Sequence, residues 1–81
     1  MGAELVVVFL STNYYGPPDT LPGIVQSLGI RFLDTTEAFH RHRDSGKPSP
    51  YIQGDGHPNA IGHALIAHEV EDYLKRERLA P

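Results

Sequence analysis

The unbroken apolar run Leu5-Val6-Val7-Val8-Phe9-Leu10 constrains the fold of this chain more than any other feature. Six β-branched, aliphatic and aromatic side chains without polar alternation are the pattern of a strand buried on both faces, as in a parallel sheet with helices on each side. The run is far below the ~20 residues that a membrane span needs. It stops at Ser11-Thr12-Asn13-Tyr14-Tyr15-Gly16-Pro17-Pro18, where a glycine and two prolines continue neither strand nor helix. A loop is therefore expected at the C-terminal end of a strand, which is where sites form in α/β folds.

Asp19 or Thr20 can cap a short helix over 21–28, with Pro22 tolerated in its first turn and Gly29 placed to end it. Leu21, Ile24, Val25 and Leu28 would share one face of that helix. Ile30-Arg31-Phe32-Leu33-Asp34 reads as a second short strand, so strand, helix and strand follow each other as a βαβ unit. Thr35 or Thr36 then caps a short turn or helix, Glu37-Ala38-Phe39, which runs into the polar stretch 40–50, expected as an exposed loop. After the turn-rich Gly54-Asp55-Gly56-His57-Pro58, Asn59 is a good N-cap for a long helix from Ala60 to about Leu79. Its apolar stripe is Ile61, Leu65, Ile66, Val70, Tyr73 and Leu74. No internal repeat appears, and residues 1–81 are expected to form a single α/β unit.

Composition narrows the chemistry. An 81-residue chain buries only roughly 60–65% of the surface its unfolded form exposes, so its core is thin, and without cysteine no disulfide can reinforce it. Ten acidic against seven basic residues give a net charge of −3, with the cations dispersed, which argues against a nucleic-acid partner. Met1-Gly2-Ala3-Glu4 lacks the basic n-region of a signal peptide, so no address is expected. Thiolate catalysis and thiolate metal sites are excluded, which leaves hydroxyl, carboxylate and imidazole groups, with five histidines among them.

Asp55-Gly56-His57 stands out because glycines on either side of the aspartate let the backbone bend and bring a carboxylate to an imidazole. A carboxylate that accepts from Nδ1–H fixes the tautomer and leaves Nε2 as a base able to deprotonate a hydroxyl nucleophile. His57 is the candidate base and Asp55 its orienter. The structural alternative is a helix-entry turn in which Asp55 caps backbone amides and His57 is a surface residue. A metal site would draw on His57, His63 and His68, with His40 and His42. The spacings oppose it: His63 and His68 are five apart rather than three or four, and His40 and His42 are interleaved with arginines. No metal and no cofactor is expected. Tyr14-Tyr15 could line a pocket mouth or, on packing grounds, fill space above a sheet edge.

The longer string Gly54-Asp55-Gly56-His57-Pro58-Asn59-Ala60-Ile61-Gly62-His63, followed by an amphipathic helix, resembles the last block of SGNH (GDSL-type) ester hydrolases. The Phe-Leu-Asp strand end and the Thr-Thr-Glu-Ala-Phe that follows, Phe32 to Phe39, also resemble the family's last strand and helix. The resemblance implies a C-terminal portion of a flavodoxin-like three-layer α/β/α sandwich with parallel strands. It implies His57 as base and Asp55 as its partner in a Ser-His-Asp triad, with Pro58, Asn59 and Gly62 at structural positions. The implied substrate is a small ester or acetylated molecule. The chain departs from the family in two respects. Only Gly56 separates acid from base where two residues are usual, and the Gly-Asp-Ser nucleophile block and the oxyanion Gly and Asn blocks are absent. The expectation is therefore the end of a longer protein or a truncated descendant, with little esterase activity of its own. Ser11 lies at a strand end but too close to the Asp-His block for the nucleophile strand, and Asn13 meets the same objection as an oxyanion donor. The alternative is a non-catalytic module that binds or self-associates through an exposed sheet edge.

Overall fold

A computed structural model describes residues 5–79; Met1 to Glu4, on which the signal-peptide reading falls, lie outside the described residues. The order of elements is β1 (Val6–Phe9), α1 (Leu21–Ser27), β2 (Arg31–Asp34), α2 (Thr36–Asp44) and α3 (Ala60–Arg76). β1 and β2 pair in parallel, Val6 opposite Arg31 through Phe9 opposite Asp34, so the βαβ unit forms as its sequence pattern requires. The described residues form a small α/β domain with a two-stranded parallel sheet and three helices.

The apolar run does not produce the doubly buried strand that its composition predicts. Val7 is 36% exposed, Leu5 and Leu10 more so, and Val6, Val8 and Phe9 are half-buried. Among the described residues one edge of β1 has no partner strand, and a single neighbour covers too little of it. The same deficit is global. The accessible surface is 5729 Å², against about 4,900 Å² for a compact 9.0 kDa chain. The radius of gyration is 13.7 Å, against about 12 Å for a compact domain of this length.

Packing sits instead at the C-terminal ends of the strands. Phe39 is fully buried and stacks on Tyr51 with ring centroids 5.3 Å apart, and Leu33, Ala38, Val25 and Pro50 are buried as well. Thr35, also fully buried, donates through Oγ1 to the Phe9 carbonyl at 2.7 Å and accepts from the Ser11 amide at 3.2 Å. Its hydroxyl therefore ties the end of β1 to the start of α2.

The helices adjust the sequence reading in detail. Thr20 and Thr35 occupy the N-cap positions of α1 and α2, yet neither side chain caps; at α2 Asp34 Oδ1 accepts from the Thr36 amide at 2.9 Å and takes that part. Only Val25 of the expected α1 face is buried, because Ile24 and Leu28 point to solvent. Residues 40–44 are helical, not loop: no glycine or proline interrupts before Gly46, Glu37 lies in the first turn, and Arg41, His42 and Arg43 in the last turn suit the macrodipole. Polarity there marked an exposed helix face. α3 begins at Ala60 with Asn59 Oδ1 accepting from the Gly62 amide at 3.0 Å, and it ends at Arg76, three residues before the expected limit. Ile61 is exposed, while Leu65, Ile66, Val70, Tyr73 and Leu74 are half-buried, and the helix packs against α2. No described helix is long and apolar enough to cross a membrane.

Candidate active site

The segment from Tyr51 to Pro58 folds back on itself. Tyr51 and Pro58 form an antiparallel bridge, and the Ile52 amide donates to the His57 carbonyl at 2.8 Å. Ile52's own carbonyl accepts from the Asp55 and Gly56 amides at 3.1 and 3.3 Å, which closes the turn. Gly54 and Gly56 both take positive φ, +80° and +84°, values that other L-residues adopt only with strain. The reversal at Gly56 swings the side chains of its two neighbours to one side, and His57 Nδ1 lies 2.5 Å from Asp55 Oδ1. The carboxylate can only accept, so Nδ1 donates, and in the neutral ring Nε2 keeps its lone pair. The imidazole is 72% exposed, so Nε2 is open to an incoming group.

This turn is anchored to the helix behind it by Asn59. Its Nδ2 donates to the Ser49 and Tyr51 carbonyls at 2.9 and 3.2 Å while its Oδ1 caps α3, so one side chain fixes both the hairpin and the helix entry. Gly62 allows the approach: a Cβ there would overlap the buried Pro50 carbonyl oxygen and lie 2.8 Å from Pro58 Cβ.

On the other side the turn meets the loop after β1. Thr12 to Tyr15 form a tight turn, closed by the Tyr15 amide donating to the Thr12 carbonyl at 3.0 Å, with Asn13 and Tyr14 both left-handed at φ +50° and +65°. The Tyr14 amide donates to Tyr51 Oη at 3.0 Å, and His40 Nε2 donates to the Tyr14 carbonyl at 2.8 Å. The Tyr14 ring meets Tyr51 edge-on at 4.8 Å and lies under the Arg43 guanidinium. Asn13, Tyr14, Ser49, Gln53 and Asp55 are among the residues lining an open cavity of about 390 Å³ on this face.

The structure thus brings Asp55 and His57 together, sets Asn13 beside their turn, and leaves the serine and the other histidine candidates elsewhere. Ser11 is fully buried, donates to the Tyr15 carbonyl at 2.9 Å and accepts from Tyr51 Oη at 3.3 Å, so its hydroxyl serves the loop. His42 Nε2 donates to the Pro48 carbonyl at 2.7 Å; with His40 bonded to Tyr14, both imidazoles are turned to backbone. His63 is exposed on α3, and His68 faces Asp72 one turn on at 4.0 Å. No group of three or more such side chains could hold a metal ion among the described residues. Of the tyrosine pair, Tyr14 packs and Tyr15 is 72% exposed. The sequence reading missed Tyr51, whose ring and hydroxyl hold the two loops together; its only signal was an aromatic beside prolines after a polar stretch. No family model, curated protein or solved structure matches the chain.

Proposed function

We propose that this chain is the Asp-His-bearing C-terminal part of an SGNH-type serine ester hydrolase, acting on a small ester or acetylated substrate. One observation carries the reading: His57 Nδ1 is hydrogen-bonded to Asp55 while Nε2 faces solvent, immediately before a helix capped by Asn59. This is what a general base needs. In the proposed reaction Nε2 removes the proton from a serine hydroxyl as its oxygen attacks the substrate carbonyl, and Asp55 stabilises the imidazolium that forms. The imidazolium then returns the proton to the departing alcohol. Water repeats the sequence on the acyl-enzyme. The reading takes the serine from a segment outside these 81 residues, since they hold no Gly-Asp-Ser block and Ser11 is buried and committed to the loop. The two parallel strands and three helices would be the last part of a flavodoxin-like three-layer sandwich.

In the longer polypeptide that carries this segment together with a Gly-Asp-Ser block, His57→Ala is expected to lower kcat on the order of 10³-fold with a modest change in KM. Asp55→Asn costs more than about ten-fold but less than His57→Ala, because the amide holds the wrong tautomer. His63→Ala and His68→Ala leave the rate near wild type. Near-wild-type turnover in His57→Ala refutes the assignment. The 81 residues alone should not be labelled by a serine-directed fluorophosphonate, and stoichiometric labelling at Ser11 would reverse that part.

A second reading is favoured by the surface. Leu5, Val7 and Leu10 are exposed along a strand with a free edge among the described residues, and 5–10 contain no charge or proline to block pairing. The chain alone would then be a non-catalytic module that self-associates through β1.

A further inference from the structure

Two consecutive residues other than glycine in the left-handed region cost on the order of 1–3 kcal/mol each and persist only where their surroundings over-determine them. The turn at Asn13 and Tyr14 is held in that way. Tyr51 Oη takes the Tyr14 amide, His40 takes its carbonyl, Ser11 takes the Tyr15 carbonyl, and Arg43 covers the Tyr14 ring. All of these fix Tyr14 and its neighbours, and the residue thereby aimed outward is Asn13. Its amide lies against Gly56, the pivot of the Asp55-His57 turn: a Cβ on Gly56 would come 2.5 Å from Asn13 Nδ2 and 3.0 Å from Cγ and Oδ1.

We infer that Asn13 is a positioning residue whose side chain braces Gly56 and so holds the turn in which Asp55 engages His57 Nδ1. Asn13 touches the pivot rather than the reacting imidazole. Asparagine suits the place because it tolerates the left-handed conformation better than other residues with a side chain. Glycine at 56 is needed both for φ +84° and to let Asn13 approach. The strain in the 12–15 turn is thus used to order an otherwise exposed pair, since a solvated two-residue loop does not by itself hold a carboxylate at one imidazole nitrogen. The inference rests on the Asp55–His57 contact and not on the hydrolase reading, and it is tested without an activity assay.

The full 81-residue chain is examined by nitrogen-15 NMR of the neutral His57 ring, with the urea midpoint measured on the same samples. Asp55→Asn supplies the reference for a broken pair. In wild type the Nδ1–H tautomer is expected to dominate. Asn13→Gly removes the brace together with the left-handed strain. It is expected to hold or raise the urea midpoint while shifting the tautomer ratio about threefold toward Nε2–H, the range of an exposed pair. Gly56→Ala lowers the midpoint, and adding Asn13→Gly recovers part of that loss, because the Cβ no longer meets the amide. A purely structural role for Asn13 would move midpoint and tautomer together. The proposal is overturned if Asn13→Gly leaves the tautomer ratio at the wild-type value, if the two substitutions are simply additive in the midpoint, or if wild-type His57 is already Nε2–H. None of these results bears on whether a serine hydrolase is assembled around the pair.

Discussion

Replacing each of two helical glycines by alanine should change stability in opposite directions. An alanine inside a helix is favoured over glycine by ~1 kcal/mol, largely because glycine loses more backbone entropy on folding. Gly23, in the first turn of α1, has nothing within 4 Å of an added Cβ, so Gly23→Ala should collect most of that, ~0.5–1 kcal/mol. Gly62, in the first turn of α3, is buried against Pro50 and Pro58. The Pro50 carbonyl cannot retreat easily, since its residue is fully buried and it accepts the Asn59 amide at 2.9 Å. Overpacking costs ~1–3 kcal/mol, and displacing that carbonyl loses a hydrogen bond of ~1 kcal/mol. After the helix gain, Gly62→Ala should be destabilising by ~1–3 kcal/mol. At 4–8 °C per kcal/mol for a domain of this size, Tm should fall by about 4–24 °C, whereas Gly23→Ala should raise it by about 2–8 °C. Thermal unfolding followed by circular dichroism, at matched protein concentration, measures both. A Tm for Gly62→Ala at or above wild type, or shifts of the same sign at both positions, would refute the reasoning that the close approach of α3 to Pro50 sets the entry of the helix behind His57.

Thr35→Val removes the hydroxyl that joins Phe9 to Ser11 inside a fully buried site, and should lower the urea unfolding free energy by ~1–3 kcal/mol. Unchanged stability would show that the β1 terminus does not depend on that bond. Val7→Lys places a charge on the exposed strand, and under the self-association reading it should reduce the weight-average mass of the concentrated chain, measured by light scattering, to that of a monomer. A mass unaffected by the substitution would remove β1 as the contact.

Much of the fold was legible because it depends on local physics. The βαβ order follows from two apolar runs separated by a helix of 3.6 periodicity, and the start of α3 follows from Asn59, whose side chain needs only residues three positions away. The approach of Asp55 to His57 is local in its geometry, since two glycines supply the left-handed angles that let residues two apart face each other, while what holds the turn comes from elsewhere in the chain. Burial was not legible. The run 5–10 has the composition of a central strand, yet whether such a strand is covered depends on how many neighbours pack beside it, and among the described residues there is one. The polar residues 40–44 misled for a related reason, because a helix with only Ala38 and Phe39 buried looks like a loop until the tertiary contact of Phe39 with Tyr51 is known.

What the sequence determined alone is therefore the order of elements and the chemistry of one turn. Tertiary structure decided which groups surround that turn: Tyr51 closing on Tyr14 and Ser11, and Asn13 closing on Gly56 across 43 positions of sequence. Contacts of that span arise only when the strands, helices and loops have docked, and no spacing rule encodes them, because loop closure over such a length is governed by the packing that rewards it rather than by any local conformational preference.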